Sequence, residues 1–146
     1  MNIEIDFTQS EKYKQAKAAI DSPTNEIIVN LFLGALFQYK IFHWQTFSYA
    51  QHKAFDGIFE SLEDTVDDFV EAFMGKYGRV NSESGVFSIS ANNLEGNNFL
   101  QFTNNFIDFI TNKLPSMLNE KDTDLLNIRD EMLGDLNQLK YLLSLN

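Results

Sequence analysis

Between His43 and Glu71, five residues have both the type and the spacing to bind a metal ion: His43, His52, Asp56, Asp67 and Glu71. His52 and Asp56 are four residues apart, as are Asp67 and Glu71, so each pair shares one face of a helix. Asp56 and Asp67 are close to three whole turns apart, so the pairs share a face but stand ~16 Å apart along the axis. One straight helix cannot deliver both pairs to a single small ion. A second copy of that helix, antiparallel across a two-fold axis, can. His43, His52 and Asp56 of one copy would meet Asp67 and Glu71 of the other, and two equivalent sites would result. Imidazole with carboxylate suits Fe(II), Mn(II) or Zn(II), and a carboxylate-rich set favours oxygen-activating iron.

A plainer reading stands beside this one. A helix bearing Glu60, Glu63, Asp64, Asp67, Asp68 and Glu71 produces carboxylate pairs at four-residue spacing by composition alone, and such charges usually form a solvated face. A histidine at an apolar helix end often packs or caps. Trp44 fits a core or an interface.

The elements that must position these residues follow from apolar periodicity. Residues 1–21 mix acids, lysines and polar side chains, and predict either a short helix from Ser10 to Ile20 or an arm. Ser22-Pro23 signals a helix start. Ile28, Leu31, Phe32, Ala35, Leu36, Tyr39 and Phe42 then mark a first long helix ending near Trp44. The short link Gln45–Ser48 makes the next helix, Tyr49 to Lys76, an antiparallel neighbour. Its seam is Phe55, Phe59, Leu62, Val66, Phe69 or Val70, and Phe73, with Asp56 and Asp67 flanking it. Gly57 inside this helix suggests close approach of another helix. Residues 78–96 are rich in Ser, Asn and Gly, and predict a crossover along the bundle. A third helix carries Phe99, Phe102, Phe106, Ile110 and Leu114 until Pro115 kinks or ends it. Asp122 or Thr123 caps a fourth, striped by Leu125, Ile128, Met132, Leu136, Leu139 and Leu143. Two antiparallel hairpins joined by a long crossover describe a single all-α domain, the ferritin-like four-helix bundle, over 22–146.

Composition narrows the function classes. A formal net charge of -10 disfavours direct DNA binding and suits attraction of cations. The absence of cysteine removes disulfides and thiolate metal sites. No apolar run is expected to span a membrane and no leader opens the chain, which predicts a cytoplasmic protein.

Phe42-His43-Trp44, His52-x-x-x-Asp56 and Asp67-x-x-x-Glu71 together resemble the ferroxidase signature of the Dps-like mini-ferritins. The likeness runs from about Asn25 to Leu145 and includes the last helix, TDLLNIRDEMLGDLNQLKYLLSL. The resemblance implies that His43, His52, Asp56, Asp67 and Glu71 bind iron between two subunits. It further implies oxidation of Fe(II) by peroxide or oxygen, and iron storage in a dodecameric shell. Glu60, Glu63 and Trp44 fall close enough to support those ligands or line the approach to them. Asp124, Asp130 and Asp135 could line an acidic pore, or simply be exposed helix charge. The sequence departs from the family in a shorter link between His43 and His52 and in lacking a basic terminal tail. Its wording HWQTFSYAQH with GKYGR resembles a branch encoded by tailed phages and other large DNA viruses, where the host cytoplasm would be the setting. The alternative is a viral structural or interaction bundle whose site is vestigial or filled by zinc.

Overall fold

Apolar residues at three- and four-residue steps build four α-helices in the computed structural model, which describes residues 22–145. The expected arm or short helix over 1–21 lies outside the described residues. Helix α1 is Ser22–Gln45, α2 is Tyr49–Tyr77, α3 is Asn98–Asp108 and α4 is Thr123–Leu143. No strand occurs among the described residues.

Side-chain contacts give the helix directions. Residues 46–48 turn α1 back along α2. Phe99 at the start of α3 packs on Phe42 and Phe55, and Phe106 packs on Phe32. Helix α3 therefore runs antiparallel to α1 and parallel to α2. Lys76 near the end of α2 meets Asp122 and Asp124 at the start of α4, so α4 reverses again. The crossover lies along α1. Glu26 accepts bonds from Ser82 Oγ and the Glu83 N–H near one end. Near the other, Gln38 exchanges two bonds with the Asn92 backbone (2.8 and 2.9 Å), and Gln45 accepts from the Leu94 N–H at 2.6 Å. The long loop is tied down at both ends by side chains of one helix.

The core is aromatic. Phe32 and Phe69 meet edge-on at 5.2 Å, Tyr39 and Phe102 at 5.3 Å, and Phe55 and Phe99 at 5.4 Å. Each fully buried ring contributes roughly 1.5–3 kcal/mol of transfer free energy. A polar contact set deep among these rings is Tyr39 to Thr103, oxygen to oxygen at 2.8 Å, and burial pushes the Tyr39 phenol well up. Phe69 is buried and Val70 only partly so, which settles the ambiguous seam position. Gly78 closes α2 at φ 89°, a conformation that favours glycine, and donates to the Met74 carbonyl.

Three expectations need correction and one is refined. The third helix changes form around Pro115 before it ends: the chain widens into a π-helical turn at Phe109–Lys113 and tightens into a 3-10 turn at Leu114–Met117. Pro115 has no N–H, so the Ile110 carbonyl loses its π-register donor and takes one from Arg129 Nη1 at 3.1 Å instead. Asp122 precedes α4, but its side chain does not cap that helix. It accepts instead from Lys76 Nζ (2.9 Å), Tyr77 Oη (2.5 Å) and the Asn119 N–H (2.9 Å). Gly57 is not explained by a neighbouring helix among the described residues, because a Cβ there would meet nothing within 4 Å. Finally, Thr24–Gln45 is long and apolar enough to cross a membrane by length and composition, though half of that stretch is buried inside the bundle. A core helix passes the same test.

Candidate metal centre

The link between α1 and α2 is three residues long, and its hydrogen bonds fix how the two helix ends face each other. Ser48 Oγ accepts from the Gln51 N–H, the Ser48 carbonyl from the His52 N–H, and Thr46 Oγ1 from the Ser48 N–H. Thr46 also donates to Gln51 Oε1 at 2.6 Å. This tight turn places the last turn of α1 against the first turn of α2. His43 and His52 consequently stack, with ring centroids 3.9 Å apart and planes at 18°.

Each imidazole also reaches the other's backbone. His43 Nδ1 lies 2.8 Å from the His52 carbonyl oxygen, and His52 Nδ1 lies 2.9 Å from that of His43. A carbonyl can only accept, so both Nδ1 atoms carry the proton. In the neutral rings both Nε2 atoms then hold the lone pair. A backbone carbonyl that fixes the tautomer in this way is the usual support of a metal-binding histidine. The His43 carbonyl is also among those a helix end leaves without an internal donor, so His52 caps α1 as well.

Asp56 lies one turn beyond His52. Its Oδ1 stands 3.8 Å from His43 Nε2 and 3.5 Å from Lys40 Nζ. A carboxylate facing an imidazole lone pair is an arrangement of two acceptors, which a cation between them would satisfy. Two ligands of one zinc- or iron-sized ion at bond lengths near 2.1 Å stand on the order of 3–3.5 Å apart. The donor chemistry of His43 and Asp56 therefore fits a divalent metal, with a small side-chain rotation.

The structure brings His43 against His52 and Asp56 and leaves the other two candidates elsewhere. Asp67 and Glu71 are exposed farther along α2. Among the described residues, no group of three or more His, Asp or Glu side chains surrounds a common point within one chain. Glu60 is exposed, and Glu63 and Asp67 border a cleft of about 780 Å³ between α1 and α2. Leu33, Phe37, Phe59, Val70 and Val80 form much of its apolar wall. Trp44 is 68% exposed, so it does not fill the core of its own chain. Phe37, Phe47 and Tyr49 are exposed as well. On α4, Asp124 is held by Lys76 and Asp130 by Arg129, so two of the three pore candidates already have cations. Burial pushes the Asp135 carboxyl up.

Lys40 was not singled out from the sequence. It is the sole lysine or arginine of α1, one turn before His43, and its ammonium lies 4.0 Å from the centre of the Phe59 ring. Its isolation in an apolar helix, on the face of His43, was the available signal. Phe59, placed in the seam by periodicity, is only partly buried and serves as this platform.

A similar protein is the uncharacterized 14.6 kDa protein of the mobD-ri intergenic region of Enterobacteria phage T4, 32% identical over 140 residues and covering 96% of each chain. No solved structure matches the chain. The profile of a family of unknown function, DUF5856, matches residues 43–143, which include His43, His52, Asp56, Asp67 and Glu71. The chain belongs to that family, DUF5856.

Proposed function

We propose that this protein is a ferritin-like bundle of the Dps type, which binds Fe(II) between two copies and oxidises it with peroxide or oxygen. The observation that carries the reading is the locked pair His43–His52, with both Nε2 lone pairs left for a cation and the Asp56 carboxylate beside one of them. The helix directions and the crossover along α1 support the ferritin-like architecture. Iron is the substrate, and its oxidation supplies the electrons that reduce the oxidant. The chain's own residues bind and orient: the imidazoles suit Fe(II), and carboxylates stabilise the Fe(III) product. Asp67 and Glu71 of a second copy would complete the ligand set.

Three surface features support pairing of copies. Phe37 and Trp44 lie seven residues apart on one stripe of α1, and both are exposed. The cleft beside them is apolar with an acidic rim at Glu63, Asp64 and Asp67. Asn30 Oδ1, on the same stripe, is buried without a hydrogen-bond partner among the described residues. An antiparallel pair would bring the tip of one hairpin onto the far half of its mate's α2, apolar surface and ligands in one register.

The test is Fe(II) oxidation under oxygen or peroxide, followed by ferric absorbance, with anomalous scattering to locate metal. Rates above buffer and a metal peak near His52 support the reading, and the absence of both defeats it. The second reading, a phage structural or interaction protein with a vestigial or zinc-filled site, draws on the phage relative and on the exposed aromatics. The double change His52→Ala with Asp56→Ala separates them. Loss of oxidation with assembly intact favours the enzyme; loss of assembly in a protein that never oxidised iron favours the structural role.

A further inference from the structure

We propose that Lys40 is a built-in counter-ion of this centre, which sets how tightly His43 and Asp56 hold a divalent cation and keeps hard cations out. The inference rests on the metal-centre reading and adds a residue that is not itself a ligand. Lys40 Nζ is 3.5 Å from Asp56 Oδ1, and that same oxygen is 3.8 Å from His43 Nε2. The ammonium also lies over the Phe59 ring at 4.0 Å. Phe59 follows Asp56 by one turn of α2, so one helix supplies both the carboxylate and the aromatic platform. Two independent attractions, an ion pair and the ring quadrupole, hold the ammonium at this spot. The Lys40 side chain is 25% exposed, so these attractions are screened less than on open surface.

Asp56 thus already has its charge compensated without metal. A divalent cation that joins Asp56 Oδ1 must displace the ammonium from the carboxylate or stand beside a like charge, and both weaken binding. The barrier is the same for every divalent ion, but ions differ in what they gain. Transition ions gain strongly from the His43 imidazole, whereas Mg(II) prefers oxygen and keeps its waters. Lys40 therefore sets a threshold that imidazole-binding metals pass and Mg(II) does not. Lys40 acts through Asp56 and is a positioning and selectivity residue, not a ligand.

Cobalt(II), titrated into the full-length protein at fixed pH and ionic strength and read by its visible absorption, tests this. Lys40→Met keeps the apolar stem over Phe59 and removes the charge, Lys40→Gln is a second neutral variant, and Lys40→Arg keeps the charge. The neutral variants should bind Co(II) at least ~10-fold more tightly, about 1.4 kcal/mol, with Lys40→Arg near wild type. Mg(II) should compete with Co(II) in the neutral variants and not in wild type. Unchanged or weaker binding in folded neutral variants, with wild type binding Co(II), overturns the role of Lys40 and leaves the metal centre standing. No Co(II) bound by any of the proteins overturns both.

Discussion

A side chain that donates to a carbonyl has its tautomer decided by its neighbour, and His43 and His52 decide it for each other. Replacing His52 with alanine removes one ring and also deprives the His43 carbonyl of its donor. We expect His52→Ala to abolish Co(II) binding and to lower unfolding free energy by about 1–2 kcal/mol in urea titrations. Asp122 makes a different prediction. Its burial opposes ionisation, but bonds from Lys76, Tyr77 and the Asn119 N–H outweigh it and hold the carboxyl below the usual range. A depressed folded value means that Asp122 stabilises the fold above its unfolded value, and that this contribution is lost as pH falls through the folded one. The Tyr77 phenol, pushed up to about 12 by burial first and then by Asp122, stabilises below its ordinary value near 10 and stops doing so as pH rises towards 12. Urea midpoints should therefore fall at both extremes in wild type. Asp122→Asn should flatten the acid limb, and an unchanged limb would remove Asp122 from this account. The His52–Asp56 and Asp67–Glu71 pairs were legible in the sequence because each lies within one helix, where spacing alone decides the face. The stack of His43 on His52 was not, since it crosses a turn whose geometry no periodicity encodes. Lys40 was hidden for the same reason, as its meaning depends on how α1 packs against α2.

At the level of elements, the apolar stripes predicted all four helices because each has one face to bury. The end of the third was harder to read. Proline announces a missing N–H but not what the neighbouring carbonyls will do, and here the answer comes from Arg129 on α4. Arg129→Met should leave the Ile110 carbonyl without that donor and cost about 1–3 kcal/mol, measured by thermal or urea unfolding. Asp122 misled for a related reason: a residue type that suits a cap also suits an ion pair, and the nearby end of α2 offered Lys76 and Tyr77. Gly57 supplies a test of opposite sign. With open space around its missing Cβ, Gly57→Ala should raise the stability of the isolated chain by about 1 kcal/mol. A loss instead would reveal a neighbour beyond the described residues of this chain.

For the whole molecule, the acidic surface and the exposed aromatic stripe pull in different directions. A net charge of -10 opposes contact between copies at low salt, while exposed Phe37 and Trp44 and the cleft would favour the proposed pairing. Self-association should therefore strengthen as salt screens the repulsion. Phe37→Ser with Trp44→Ser should weaken it at least tenfold, with the helical signal unchanged, in sedimentation velocity. A monomer at every salt concentration in wild type would defeat the two-copy site. Periodicity showed which residues face the core, but a cleft lined by two helices depends on how they pack, which a one-dimensional pattern does not contain.

The reciprocal bonds between His43 and His52 also bear on the order of folding. Their partners are nine residues apart in the chain. Loops of that length close in roughly 10–100 ns, far faster than contacts that must wait for α4. The imidazole pair and Asp56 belong to the first hairpin, which is complete at Tyr77. A nascent chain would carry the His43–His52 pair beside Asp56 before its second half-bundle existed, and on the proposed two-copy reading a mate's hairpin could meet it there. Pulse-labelled hydrogen exchange during refolding should find the amides around His52 protected ahead of those in α4.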